Sequence, residues 1–419
     1  LEYSGSPLRI AARCSVFAKT DLIHLQQKGT PLDAMLYSLC ESVARMVASL
    51  KKDEFLAPLY FVGGVAANKA IARSLCDVLS AKDEHQVQIV IPENYLYTEA
   101  LGSALLSTKR RSQVVMLPGT RARQCHLELP GLKRIPRHHS SSDYRIETSV
   151  IGYLGVDVGS TSTKAVIIDQ SGRILAKNYL MTVGKPVDAV KEVFKNLLQL
   201  DAHKVRIAGV GVTGSGRYLI GSFIGADLVK NEITAQTRAI AEIDAEADII
   251  EIGGQDSKLV IKKNGVVVDY QMNKACAAGT GSFIDELAQL LGVSVSNGDF
   301  AALAFKAPYT IDLGSKCTAF TAQAVALAQQ EGISLEVITA SLANSIAKNY
   351  LSKVVGPRKL GNKIILTGAV FYNQAIISAF HGQLEGKTLD VSEHREVSGA
   401  IGVALLAQEE VVNQRSKFK

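Results

Sequence analysis

The sequence predicts an α/β protein made of one complete two-lobed module and the second half of a preceding module. Three observations lead to this prediction. Two separate segments show the pattern of a β-hairpin, with an apolar strand, a glycine-rich turn and a second strand. Apolar strands followed by glycine turns and helices recur later in the chain. Finally, a long internal repeat relates the two ends of the chain.

The internal repeat consists of three pairs of similar segments in the same order, roughly 300 residues apart. Residues 13–29 resemble 316–332, residues 59–71 resemble 364–376, and residues 92–106 resemble 392–406. We therefore expect residues 1–107 to be the second half of a first module whose first half lies upstream. We expect the rest to be a basic linker at 108–148, a complete module at 149–410 and a C-terminal tail at 411–419.

The composition is that of a globular protein: 419 residues, 47% hydrophobic and 21% charged, with a formal charge of +6. No apolar run is long enough for a transmembrane helix, and the first residues, LEYSGSPLRI, show no signal-peptide pattern. We expect a cytoplasmic protein with no membrane partner. The most basic stretch, residues 108–142, contains no aromatic side chains that could stack on bases. A solvated linker is therefore expected there, and no nucleic-acid partner.

The first hairpin, YLGVDVGSTSTKAVIID, begins at residue 153 with an apolar strand that ends on an aspartate, Asp157. Its turn of glycine, serine and threonine presents backbone N–H groups and hydroxyls that can bind phosphate oxygens. Asp157 is placed to hold Mg²⁺ through water, and Lys164 can reach a phosphate as a point charge. The candidate ligands are Gly159, Ser160, Thr161, Thr163 and Lys164. A plain polar hairpin is the alternative.

The second hairpin, ADIIEIGGQDSKLVIKKNGVVVDYQMN, repeats this design at residues 247–273. It places Gln255 and Asp256 beside a glycine pair, so that two facing hairpin tips would form a phosphate clamp. Two further glycine turns follow apolar strands in GVGVTGSG and KIILTGAV, and glycine there lets a nucleotide approach the backbone closely. The additional candidate ligands are Gly214, Gly253, Gly254, Gly368 and Ala369.

Two of the six cysteines stand on small-residue loops directly ahead of helices, Cys276 in CAAGTGSFIDELAQLLG and Cys317 in SKCTAFTAQ. No CxxC pair occurs, which weakens a zinc-ribbon or thioredoxin interpretation. Without a secretory signal, disulfides are not expected. Cys40 and Cys76 lie within helical patterns and are expected to be buried free thiols. That is also the alternative interpretation of the two loop cysteines.

The motifs DVGSTSTK, EIGGQDSK and LTGAV resemble the two phosphate motifs and the adenosine motif of the actin, sugar-kinase and Hsp70 ATPase superfamily. The fold of that superfamily is a duplicated ribonuclease H-like βββαβα lobe. More narrowly, NKACAAGTGSFIDELAQLLG and SKCTAFTAQ resemble the BadF/BadG/BcrA/BcrD ATPase family. The resemblance covers residues 151–410 and, for its second half, residues 1–107. The family includes activators of 2-hydroxyacyl-CoA dehydratases and ATPase subunits of benzoyl-CoA reductase.

The resemblance implies an enzyme that binds ATP or ADP with Mg²⁺ and hydrolyses ATP. It assigns Asp157, Asp256 and Gln255 to catalysis. It also implies a 4Fe–4S cluster held by four thiolates, two from each of two subunits or tandem modules. The implied metal ligands are Cys276 and Cys317, with Cys14 at the Cys317 position of the first module.

By the same resemblance, a ferredoxin or flavodoxin donates one electron, and ATP hydrolysis drives it onto a low-potential acceptor. That acceptor is a 2-hydroxyacyl-CoA dehydratase or a benzoyl-CoA reductase-type enzyme, and a homodimer or a pseudo-dimer of tandem modules holds the cluster. Two alternatives remain open. One is a small-molecule kinase of the same fold that acts on an N-acetylhexosamine or a carboxylate. The other is a scaffold whose assembly the nucleotide regulates.

Overall fold

The structure is a computed structural model that describes residues 5–10, 15–50, 58–81, 88–109, 129–134, 149–273, 279–315 and 317–417. The chain divides into two compact units, Leu1–Gln124 and Cys125–Lys419. Cys14, Cys125 and Cys276 lie outside the described residues, as does most of the segment 108–148. Within the described ranges, no helix combines the length and the apolar character needed to cross a lipid bilayer.

The first unit is mainly helical, with two short parallel strands. Its elements are α1 (Ser15–Gln27), α2 (Leu32–Ala48), β1 (Leu59–Tyr60), α3 (Lys69–Ser80), β2 (Ile89–Val90) and α4 (Thr98–Lys109). Cys40 lies in α2 and Cys76 in α3, and both are half-buried. Burial raises the pKa of the Cys40 thiol. Both cysteines are thus free thiols in helices, as their patterns predict, but they are half-buried and not fully buried as expected.

A five-stranded sheet forms the first lobe of the second unit, with the strand order β6-β5-β4-β7-β8. After a short strand β3 (Leu129–Pro130), the elements are β4 (Val150–Val158), β5 (Ser162–Asp169), β6 (Ile174–Met181), α5 (Pro186–Gln199), β7 (Val205–Thr213), α6 (Arg217–Ile224), β8 (Leu228–Val229) and α7 (Glu232–Ala241). Strands β4 and β5 form the first predicted hairpin. Their alternating valine, isoleucine and alanine side chains fill the core of this lobe.

The second lobe contains another five-stranded sheet, in the order β11-β10-β9-β13-β14. Its elements are β9 (Asp248–Ile252), β10 (Ser257–Lys263), β11 (Val266–Met272), α8 (Gly281–Leu290), α9 (Asp299–Ala304), β12 (Tyr309–Thr310), α10 (Thr318–Gln330), α11 (Leu335–Tyr350), β13 (Lys363–Thr367), α12 (Gln374–Gln383) and β14 (Thr388–Val391). The last helix, α13 (Ser398–Lys417), returns to the first lobe. Residues 411–417, expected to belong to a tail, continue α13 because residues 403–417 contain no glycine or proline that would end the helix.

The two five-stranded sheets share one topology. In each, two antiparallel pairings are followed by two parallel pairings across the sheet. This duplication confirms the predicted ribonuclease H-like lobes of an actin-like fold.

The first unit repeats the order of elements from α10 to α13 in the second unit. In both copies a glycine at positive φ, Gly63 or Gly368, precedes a short 3₁₀ turn. In both copies an asparagine, Asn68 or Asn373, then caps the next helix by accepting from its first backbone N–H groups. The internal repeat found in the sequence is therefore also present in the structure.

The C-terminal helix α13 lies against the first lobe at positions where glycine removes the side chain. A Cβ at Gly155 of β4 would collide with the carbonyl oxygen of Ala400. A Cβ at Gly402 of α13 would likewise collide with the carbonyl oxygen of Ala235 in α7. These contacts bring α13, β4 and α7 closer together than any larger residue would allow.

Replacing Gly402 by alanine is expected to lower the free energy of unfolding by about 1–3 kcal/mol, because the new methyl group must push α7 and α13 apart. The matched control is Gly382→Ala in α12, where an added Cβ meets nothing within 4 Å. Alanine there should be neutral or stabilising, since it is the better helix former. Urea unfolding measures both, and a Gly402→Ala protein as stable as the parent would contradict the packing described.

Candidate functional site

The two predicted phosphate hairpins meet tip to tip across one small polar cavity of about 60 Å³. The Ser160 hydroxyl of the first tip donates to Oε1 of Gln255 in the second, at 3.1 Å. A Cβ at Gly254 would lie 2.9 Å from the methyl carbon of Thr161, so glycine allows the tips to touch. The predicted residues that line this cavity are Asp157, Gly159, Ser160, Thr161, Lys164, Gly253, Gly254, Gln255 and Asp256.

Asp157 and Lys164 form an ion pair across the first hairpin, where they are partners in the β4–β5 register. Lys164 Nζ lies 3.2 Å from Asp157 Oδ2, and the two side chains are 17% and 12% exposed. Burial opposes the charged form of Lys164, but the attraction of Asp157 outweighs it and raises the pKa of the amine. Lys164 therefore stays ionised at neutral pH, and both side chains line the cavity.

A second group of charges lines the cavity and centres on Lys258. Its Nζ lies 2.8 Å from Oε2 of Glu232 and 2.8 Å from Oε2 of Glu251. Burial opposes its charge, but the two carboxylates raise the pKa of Lys258. Burial also opposes ionisation of Glu232, yet attraction by Lys258 lowers the pKa of that carboxyl. At Glu251 burial prevails and raises the pKa, so Glu251 is the carboxyl of this group that protonates first as the pH falls.

A larger cavity of about 880 Å³ adjoins the polar one and shares Thr161 and Gly254 with it. Helices α8, α9 and α12 contribute walls, and Ala369 of the predicted adenosine turn lines it. Ile284 of α8 and Tyr179 of β6 approach from opposite lobes. A roomy, mainly apolar cavity beside a small polar one has the arrangement that a nucleotide requires.

Three predicted residues lie beside these cavities without lining them. Thr163 is fully buried. Gly214 and Gly368 have positive φ angles of 95° and 98°. A Cβ at Gly214 would lie 2.7 Å from Asp157 Oδ1, and one at Gly368 would collide with the carbonyl oxygen of Ile252. These two glycines therefore let the backbone pass close to the strands that carry the hairpins.

The start of helix α8 is bonded directly to the second hairpin tip. The backbone N–H of Gly281 donates to the carbonyl oxygen of Gly253 at 2.9 Å, and that of Ser282 donates to Gly254 at 2.7 Å. The Ser282 hydroxyl also donates to the Gly254 carbonyl, at 2.7 Å. Three hydrogen bonds thus join the glycine turn to the helix that begins shortly after Cys276 in the chain.

Cys317 is the N-cap residue of α10 and is half-buried. Residues 311–314 precede it and are held by α11, since Ser341, Ser345 and Lys348 hydrogen-bond to them at 2.8, 2.9 and 2.9 Å. The loop that leads to this thiol is therefore fixed by a buried helix. Within the part of the chain that the structure describes, no three His, Cys, Asp or Glu side chains come together as a metal site.

Sequence reasoning missed the residues that reach the polar cavity from outside the two turns. They are Thr213, Ser215, Glu232, Gln236, Glu251, Lys258 and Gly399. The ion pair between Glu251 and Lys258 could have been predicted from the sequence, because a hairpin with this turn places the two residues opposite one another on neighbouring strands. The sequence around Glu232 indicates only the start of a helix, since Glu232 follows Asn231, the N-cap of α7.

Comparison with known proteins gives a family match over most of the chain. The model of the BadF/BadG/BcrA/BcrD ATPase family matches residues 4–107 and 154–407. An uncharacterised protein of Methanocaldococcus jannaschii is 31% identical over 265 residues, which are 61% of this chain and 61% of that protein. The (R)-2-hydroxyglutaryl-CoA dehydratase activating ATPase of Acidaminococcus fermentans is 33% identical over 264 residues, which are 61% of this chain and 96% of that protein.

A solved structure is also similar to this chain. The activator of the 2-hydroxyisocaproyl-CoA dehydratase from Clostridium difficile, with bound ADPNP, superposes with a TM-score of 0.58 at 29% sequence identity. The match covers 64% of this chain and 98% of that one. This similarity, like the duplicated sheets, identifies the fold as an actin-like ATPase fold.

Replacing Lys258 by methionine should leave the buried Glu251 and the half-buried Glu232 without their counter-charge, at a cost of about 3–5 kcal/mol at pH 8. Burial raises the pKa of Glu251, because it disfavours the ionised carboxylate. The contribution of Glu251 to the free energy of unfolding therefore falls as the pH rises and the carboxyl ionises. The loss should therefore shrink as the pH falls toward 5. Urea unfolding at both pH values measures it, with Lys263→Met, exposed on the same strand, as control. A loss independent of pH would contradict this account.

Proposed function

This chain belongs to the BadF/BadG/BcrA/BcrD ATPase family, and we propose that it couples ATP hydrolysis to single-electron transfer from a 4Fe–4S cluster to an acceptor enzyme. The acceptor would be a 2-hydroxyacyl-CoA dehydratase or a benzoyl-CoA reductase-type enzyme. Relatives named as an activating ATPase and as an activator of such dehydratases support this proposal.

The polar cavity would hold the phosphates and the metal. Asp157 and Asp256, one in each hairpin, would hold a hydrated Mg²⁺ and the attacking water, while Lys164 and Gln255 would contact the phosphates. Mg²⁺ usually keeps several waters and binds through one or two carboxylates plus phosphate oxygens. The Asp157 and Asp256 carboxylates that line the cavity match that donor set. The adjoining cavity of about 880 Å³ would take the adenosine.

The proposed cluster ligands of the complete module are Cys276 and Cys317. Cys317 suits this role, because a thiolate at the start of α10 is favoured by the helix dipole and the thiol is half-buried. When bound, the cluster supplies one-electron redox chemistry. Cys14, at the equivalent position of the first module, would supply a further ligand.

The bonds between the Gly253–Gly254 turn and the start of α8 carry this proposal. When hydrolysis changes the contacts of the turn with phosphate, Gly281 and Ser282 would move with it. The loop that contains Cys276 leads directly into those residues. Cys317, by contrast, follows a loop that α11 anchors. A change at the nucleotide would therefore alter the position of one cysteine relative to the other.

The proposed function also requires partners. One complete module provides two cysteines, whereas a cluster of this type takes four thiolates. A homodimer, or a pseudo-dimer of tandem modules, would supply the other two. A ferredoxin or a flavodoxin would be the electron donor.

Replacing Asp157 by asparagine should lower kcat for ATP hydrolysis by about a hundredfold or more, because a carboxylate that holds the hydrated metal is lost. Phosphate release under saturating ATP measures this change. Asp188→Asn, at an exposed position in the first turn of α5, is the control and should retain full activity. Undiminished hydrolysis by Asp157→Asn would remove this residue from the proposed site.

Protein purified and reconstituted without oxygen should bind about four irons per pair of complete modules. Cys276→Ser and Cys317→Ser should each lose the iron and the activation of the acceptor but still bind ADP. Cys40→Ser and Cys76→Ser, at half-buried positions in helices, should keep the iron and the activation of the acceptor. Phosphoryl transfer to a small molecule that survives in Cys317→Ser, with no iron in the parent, would favour the kinase alternative.

A further inference from the structure

Residues 129–134, which we call the clasp, precede the complete module and pack on its second lobe. Strand β3 of the clasp pairs antiparallel with β12. A Cβ at Gly131 would lie 2.9 Å from the carbonyl oxygen of Ala307, so the two backbones are in close contact. The Ser378 hydroxyl of α12 donates to the carbonyl oxygen of Lys133 at 2.6 Å. The clasp is therefore fixed at three points along its length.

The clasp brings Arg134 to the larger nucleotide cavity, and the arginine side chain lines it. The guanidinium carbon lies 4.7 Å from the centre of the Phe305 ring, which lines the same cavity. This contact holds a planar cation at the cavity wall, close to helices α9 and α12.

The clasp lies outside the shared family site. In the second unit the family model matches residues 154–407, and the clasp ends well before that range. Arg134 therefore reaches the cavity from the segment between the two ranges that the family model matches.

We propose that Arg134 stacks on the purine base of the bound nucleotide and so determines the affinity of this site for ATP and ADP. The inference rests on the nucleotide site of the proposed function. A guanidinium plane stacks well on flat aromatic rings, and its charge adds a cation–π attraction. Contacts of this kind with bases are a recurrent use of arginine. The guanidinium would then lie between the base and the Phe305 ring.

The test is calorimetric titration of the full chain with ADP and Mg²⁺. Arg134→Ala should bind ADP about fivefold more weakly than the parent. Arg134→Lys should recover only part of the affinity, because lysine keeps the charge but not the plane. Gly131→Val should also weaken binding, since the larger side chain displaces the clasp. Lys133→Ala is the matched control and should bind like the parent, because only its backbone carbonyl is used.

Hydrolysis kinetics complete the test. Arg134→Ala should raise KM for ATP and leave kcat unchanged, since Arg134 lines the larger cavity and not the polar cavity proposed for the phosphates. Parent-like ADP affinity in Arg134→Ala, or full recovery in Arg134→Lys, would overturn the inference and leave the proposed function standing. A parent protein that binds no ADP would overturn both.

Discussion

The attachment of helix α8 to the Gly253–Gly254 turn is the contact on which the rest of the site depends. Backbone hydrogen bonds of this kind need close approach, and a Cβ at Gly281 would lie 3.2 Å from the carbonyl oxygen of Gly253. Gly279, with a φ of 93°, passes the end of α11 in the same way, where a Cβ would lie 3.2 Å from the Tyr350 nitrogen. Glycine at positions 279 and 281 is thus required by packing, and Gly281 joins the start of α8 to the Gly253–Gly254 turn.

Charge balance is the second constraint on this site. Lys164 and Lys258 are nearly buried and each is paired with carboxylates, which offsets the large cost of burying an isolated charge. The ion pairs hold each ammonium group in a fixed position at the wall of the polar cavity, which carboxylates also line. Preorganised charges of this kind stabilise a developing negative charge without further rearrangement. In the proposed function, the same ion pairs would hold the two lysines in place for the phosphate chain.

Local motifs could be predicted from the sequence, because a strand, a turn or a glycine bend depends mainly on residues that are close together in the chain. The two hairpins, the turns at Gly214 and Gly368, and the repeat are in the structure where the motifs placed them. Contacts across the fold could not be predicted in this way. The sequence of residues 129–134 does not indicate a strand. Strand β3 forms there because it pairs with β12, which is distant in the chain. The role of Glu232 likewise depends on a lysine in the other lobe.

Hydrogen exchange at the backbone amides of Gly281 and Ser282 tests the central claim most directly. The full chain would be measured without nucleotide, with ADP and Mg²⁺, and with a non-hydrolysable ATP analogue and Mg²⁺. If the phosphate-binding turn controls the start of α8, the two amides should exchange at different rates in the three states, while α5 should not change. Identical exchange in all three states, with nucleotide binding shown by calorimetry, would contradict a mechanical link between the nucleotide and the cysteine loop.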